Sequence, residues 1–353
     1  MFQSVPVMSP KLPEMKDVEP YLEQMYRNHV FTNRGPLLNQ FEHRLSGLFR
    51  SKSSNTVVCS NATIAIQGIA ALIEQTEFRV PAFTFPATIH ALSASKKIIY
   101  LEDISPLTWE INPNSCSKNE ALVRVSAFGA VPKFDDSNKW GHLLLDAAAS
   151  IGSQEYDFSE IPENATIVFS LHATKVLGIG EGAVVVFGSE ALANDFRKWI
   201  NFGFDGSRES KILGTNAKLS EISAAYGHAA LDNWEIEKVE WLSSRAGAID
   251  ISNHWKISTD LNLGTGINPY WIIKLPSEMF TNRLIELLSQ KQIGHRRWWS
   301  FGCHKMPAFR HLSAEEFQQT NYVVSISLGL PFFRDMKQDQ FDAINHCLFE
   351  LFS

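Results

Sequence analysis

Long hydrophobic runs are missing: nowhere in the 353 residues do 18 apolar side chains stand together, so no helical membrane span is expected. Cysteine is scarce. Cys59, Cys116, Cys303 and Cys347 show no CxxC spacing, which excludes a disulfide framework or thiolate zinc module and reads as reduced thiols. Basic charge is not in excess either. With 32 Lys and Arg against 38 Asp and Glu, the net charge is −6, which argues against a nucleic-acid partner. A few local donors can still bind one phosphorylated small ligand. The histidines lack HxxxH or carboxylate spacing, so no metal site is expected. The opening MFQSVPVMSPKLPEMKD holds no apolar stretch of signal-peptide length, and the expectation is a soluble, cytoplasmic protein.

What is present is core-forming material. Hydrophobic residues make up 44% and charged residues 20%, enough to bury a sizeable interior. Helical periodicity covers Asp17 to about His29, and Asn39 to Phe49. From residue 56 short apolar strands alternate with helices: TVVCS, FRV, KIIYL, LVRVSAF, HLLLD, TIVFSL and AVVVF. The fold class is α/β, with a largely parallel sheet covered on both faces. After residue 235 the texture changes to charged helix (236–256), a strand at 270–275, a helix at 278–291, a strand at 323–327 and a helix at 337–352. Two domains are expected, a large one over 1–240 including the N-terminal lead, and a smaller α+β domain over 241–353.

The richest stretch is FSLHATKVLGIGEGAVVVF. Lys175 follows an apolar strand in a turn framed by Gly178, Gly180 and Gly182, at the sheet edge where open α/β sheets bind ligands. GIGEG leads into a strand rather than a helix, so it fails as a dinucleotide-binding fingerprint. Asp146 ends another apolar strand. An aspartate there can serve a metal or a helix cap, but beside a lysine it suits pyridoxal 5'-phosphate (PLP). The carboxylate keeps the pyridine nitrogen protonated and the lysine holds the aldehyde. In CSNATIAI a strand turns into a helix whose free N–H groups and Thr63 hydroxyl offer a phosphate site, or merely an Asn-capped helix start. Phe85 is either a flat face for the pyridine ring or core.

These motifs together resemble the DegT/DnrJ/EryC1/StrS family of PLP-dependent nucleotide-sugar aminotransferases. The resemblance runs in order through FTNRGPLLNQFE, SNATIAI, PAFTFPAT, DAAA, FSLHATKVLGIGEGA and GTNAKLSEISAAYGHAALD. It implies fold type I with PLP as cofactor. It assigns Lys175 as the catalytic, cofactor-linking lysine and Asp146 as the partner of the ring nitrogen. Thr63, the backbone of Ile64, and Ser170 match the phosphate binders, and Phe85 matches the stacking aromatic. Asn216 and Lys218 match a turn that reaches the neighbour's cofactor phosphate, which implies a homodimer with shared active sites. Glu181 matches a glutamate lining the substrate pocket.

The sequence also departs from the pattern. Ala149 stands where relatives carry Gln or His near the ring hydroxyl, and Ser126 and Ala127 replace a common Val-His pair. In the segment GHRRWWSFGCHKMPAF, Arg296 and Arg297 are candidates for a diphosphate or carboxylate, Trp298 and Trp299 for stacking, and His304 matches a frequent family position. The implied partners are L-glutamate and a nucleotide-linked keto sugar, with C4 of dTDP-4-keto-6-deoxyglucose as first expectation. A 3-keto or UDP-linked acceptor, and a non-catalytic PLP-fold binding protein suggested by Ala149, stay open. A lyase or desulfurase would need a reactive cysteine, and Cys59 is expected to be packing.

Overall fold

Seven short strands, most of them buried on both faces, form the centre of the computed structural model, which describes residues 4–113, 117–259, 266–313 and 315–353. Cys116 lies outside the described residues. The strands are β1 (Thr56–Cys59), β2 (Glu77–Pro81), β3 (Ile98–Glu102), β4 (Glu120–Val125), β5 (His142–Asp146), β6 (Ala165–Ser170) and β7 (Ala183–Phe187). Their order is β1-β7-β6-β5-β4-β2-β3, and β7 alone runs antiparallel to its neighbours. The near-continuous apolar sequences follow from this double coverage: Leu143 and Leu145 enter the core on one face while Leu144 enters that on the other. Helices α3 (Ala62–Leu72), α4 (Pro86–Ala94) and α5 (Glu190–Trp199) cover one face. Helices α2 (Pro36–Leu48) and α6 (Glu221–Asp232) cover the other, and α1 (Met15–Asn28) packs outside them against α6.

The two halves of the family-like text near α2 and α6 meet in one contact. Pro36 opens α2, and the next two N–H groups, of Leu37 and Leu38, each donate to a carboxylate oxygen of Glu221 at 2.9 Å. Glu221 is 1% exposed, and a Cβ on Gly35 would sit 2.6 Å from its carboxylate, so glycine is required there. Glu221→Ala strands two buried donors at a helix start. It is expected to lower the unfolding free energy by about 3 kcal/mol, read from urea denaturation, with Glu221→Gln losing less.

Helix α7 (Trp234–His254) carries the chain onward, and the boundary expected at residue 240 falls inside it. A two-stranded antiparallel sheet follows, β8 (Trp271–Lys274) with β9 (Ser327–Leu330), packed with α8 (Glu278–Gln290), α9 (Gln318–Ile326) and α10 (Gln338–Phe352). The N-terminal lead, expected with the first 240 residues, pairs instead with this later part. Gly294 donates to Val5 O at 2.7 Å and Phe332 to Val7 O at 3.1 Å.

The strand expected at 323–327 is a correction. Residues 318–326 are helical, and only from Ser327 does the chain become strand. The β-branched pair Val323–Val324 misleads, because both ends of α9 are held by distant residues. Asp103 accepts from the N–H groups of Gln319 and Thr320, and Arg297 donates to the carbonyls of Val324 and Ser325.

Candidate active site

Four sheet positions end at one cavity of about 880 Å³, and its lining includes Thr63, Phe85, Asp146, Ser170, Lys175 and Arg296. Asp146 is the last residue of β5. Its Oδ2 accepts from the Thr88 hydroxyl at 2.6 Å and its Oδ1 from the Ala148 N–H at 3.2 Å. Burial pushes the carboxyl above the usual range, while those two donors and the Lys175 charge pull it back. A buried carboxylate so placed is matched by a cationic N–H presented from the cavity.

Lys175 stands in the turn joining antiparallel β6 and β7. The turn is closed by its own backbone: Ala173 donates to Gly180 O and Lys175 to His172 O, each at 2.8 Å. Gly180 has φ +100, a conformation that a side chain would strain. The amine therefore projects from a rigid frame. Its Nζ lies 2.8 Å from the Tyr270 hydroxyl.

The opposite end of the cavity is the start of α3. Asn61 caps it, its Oδ1 accepting from the Ile64 N–H at 2.9 Å. Ile64, whose backbone is expected at the phosphate, lines the cavity with its N–H engaged by this cap. The N–H groups of Ala62 and Thr63 have no acceptor among the described residues, and with the Thr63 hydroxyl they form the anion-facing helix end. Ser170 and Asn216 line the same end. Ser60 donates to Ala217 O at 2.9 Å, which brings the 214–218 turn against α3. Lys218 does not line its own chain's cavity; its Nζ bonds Asn216 Oδ1 at 2.7 Å and lies over the Phe202 ring.

Phe85 is 56% exposed at the cavity wall, so it is not core. Glu181 lines the rim, 3.7 Å from His172 Nε2. The arginine pair divides. Arg296 lines the cavity with its guanidinium 4.7 Å from the Trp298 ring centroid. Its backbone pairs with Gly329 of β9, where a Cβ would meet the Trp298 indole at 2.2 Å. Arg297 turns away, donating to Val324 O, Ser325 O and Asn282 Oδ1. Trp298 and Trp299 both line the cavity. His304 also misses it: buried, it bonds Asn321 Oδ1 at 3.0 Å and borders a separate cleft with Lys305 and Glu316. Arg297 and His304, both expected at the substrate, thus lie outside this cavity.

Sequence reasoning missed Thr88 and Tyr270. Thr88 lies in the quoted PAFTFPAT, one turn along α4, and its polar side chain facing a buried strand end was an available signal. Tyr270 carries no local motif. Cys59 is fully buried, with its thiol pushed up to about 12, and so is unsuited to nucleophilic work.

The DegT/DnrJ/EryC1/StrS aminotransferase family model matches residues 14–349. The dTDP-4-amino-4,6-dideoxy-D-glucose transaminase of Shigella dysenteriae is 29% identical over 247 residues, covering 65% of this chain and 65% of that protein's length. The transaminase of the same name from Escherichia coli is 24% identical over an alignment covering 96% of each chain. The crystal structure of DesI in the presence of its TDP-sugar product superposes with a TM-score of 0.84 at 25% identity, covering 99% of this chain and 94% of that one. The fold is that of the PLP-dependent aminotransferases, and the chain belongs to the DegT/DnrJ/EryC1/StrS aminotransferase family.

Proposed function

We propose that this chain is a PLP-dependent aminotransferase that moves the amino group of L-glutamate to a nucleotide-linked keto sugar. The acceptor position is C4 of dTDP-4-keto-6-deoxyglucose, and the product dTDP-4-amino-4,6-dideoxyglucose. The observation that carries the reading is one cavity with a lysine amine and a buried carboxyl at one end and open helix N–H groups at the other. The choice of sugar is supported by the names of the Shigella and Escherichia relatives.

When bound, PLP supplies an aldehyde carbon and a protonated ring that acts as an electron sink. The chain's residues do the rest. Asp146 keeps the ring nitrogen protonated, and Thr88 fixes the carboxylate that does so. Lys175 holds the aldehyde carbon and, once released, takes a proton from one carbon and returns it to another in each half-reaction. The Ala62 and Thr63 N–H groups, the Thr63 hydroxyl and Ser170 hold the phosphate, and Phe85 gives the ring a flat face. Arg296 meets the substrate's anion and Glu181 its rim-side polar groups. Asn216 lines its own chain's cavity and bonds Lys218, which lies outside it and would reach the phosphate site of a second copy of the chain.

Incubation with L-glutamate and a panel of dTDP- and UDP-linked keto sugars tests the proposal by mass spectrometry. Amine gain by dTDP-4-keto-6-deoxyglucose, with one 2-oxoglutarate formed per amino sugar, is the expected result. Amine gain confined to a 3-keto or UDP-linked sugar refutes the acceptor. No amine on any sugar in a PLP-loaded protein refutes the transaminase and leaves a binding protein.

A further inference from the structure

Tyr270 precedes β8, in the small sheet, yet its hydroxyl meets an amine that the large sheet positions. The distance to Lys175 Nζ is 2.8 Å, and the amine lies 5.2 Å from the ring centroid. The ring cannot drift. Trp298 stands edge-on at 4.8 Å and Phe128 at 5.7 Å, and the Tyr270 N–H donates to Asn268 Oδ1. Ala149 belongs to the same apolar cluster, and its short side chain reaches toward none of these polar groups. Among the described residues, the bond to Tyr270 is the hydrogen bond that Nζ makes.

We propose that Tyr270 is a positioning residue for Lys175: its phenol oxygen holds the free amine between the steps in which that amine moves protons. The proposal rests on the reading of Lys175 given under Proposed function, and adds a residue of the small sheet to its proton-moving group. A phenol suits the task because its O–H rotates. It accepts from an ammonium and donates to a free amine, so the nitrogen stays in place in both states. The charged groups that face the lysine are Asp146, His172, Glu181 and Arg296 in the cavity, with Lys11, Glu237 and Arg334 behind the turn. Glu237 is ion-paired with Arg334, and Lys11 with Asp335.

Tyr270→Phe keeps the ring and its packing and removes only the hydroxyl. In the cofactor-free protein, acetic anhydride labelling of Lys175 at one fixed pH is followed by mass spectrometry. The labelling rate of the released amine is expected to rise roughly tenfold, the size of a lost hydrogen bond to a charged group. In the PLP-loaded enzyme, kcat for the glutamate half-reaction is expected to drop roughly tenfold with KM within about twofold. An unchanged labelling rate overturns the proposal, whatever the activity. A labelling rate that rises in a protein whose wild type never reacts with glutamate supports the Tyr270–Lys175 pair while the transaminase reading fails.

Discussion

Lys175→Ala is expected to abolish transamination and the visible absorbance of the lysine-linked cofactor, leaving PLP held only by non-covalent contacts. The fold should survive, because the turn is closed by backbone bonds from Ala173 and Lys175 and by Gly180, none of which needs the lysine side chain. The one side-chain bond lost is that to Tyr270 at the cavity wall, worth about 1–2 kcal/mol at most. Far-ultraviolet circular dichroism and the urea midpoint should therefore stay close to wild type while turnover vanishes. Among the described residues no other lysine lines the cavity, so no neighbour stands ready to take over. Steady-state turnover by the alanine variant would sink the assignment of Lys175 and with it the proposed chemistry.

The second large effect is expected at Asp146. Asp146→Asn preserves shape and can keep a bond to Thr88, but it removes the negative charge that holds a proton on the ring nitrogen. An unprotonated ring withdraws electrons poorly, so the glutamate half-reaction should slow by roughly 10²–10⁴-fold, as for loss of an acid–base group. PLP should still bind, because the phosphate end is built from α3 and Ser170 and does not involve this carboxylate. Stopped-flow measurement of the half-reaction, alongside PLP content, separates the two effects. A near-normal rate would mark Asp146 as structural. The upward push on the free carboxyl has a corollary: the positive charge of a bound cationic ring offsets the cost of burial and should lower it. The rate that ionised Asp146 supports is then lost as pH falls through its bound-state pKa.

Much of this site was legible because local sequence builds it. Asp146 ends an apolar strand and Lys175 follows another in a short turn, so strand pattern alone brings both to one edge of the sheet. Asn61 caps its helix as its position suggests, through a bond from the Ile64 N–H. What sequence did not reveal depends on partners far along the chain. Arg297 and Arg296 are adjacent and chemically alike, and only the packing of α9 decides that one ends a helix and the other faces the cavity. His304 was read from a motif position, but Asn321 and Phe317 hold it in another cleft. The helix at 318–326 was read partly as strand because Asp103, which anchors its start, is 216 residues away from Gln319. Tyr270 belongs to the same class: nothing near it in sequence names Lys175.

The N-terminal lead has a consequence for the order in which the molecule can be finished on the ribosome. Its backbone pairs with Gly294 and Phe332, its Lys11 reaches Asp335 across 324 residues, and Met8 lines the cavity. At ordinary elongation rates those partners emerge on the order of tens of seconds after the lead itself. The central sheet can form in that interval, but the cavity cannot close, because one wall waits for residues beyond 290. Cofactor capture should therefore wait for them too, and the lead is seated long after it is made.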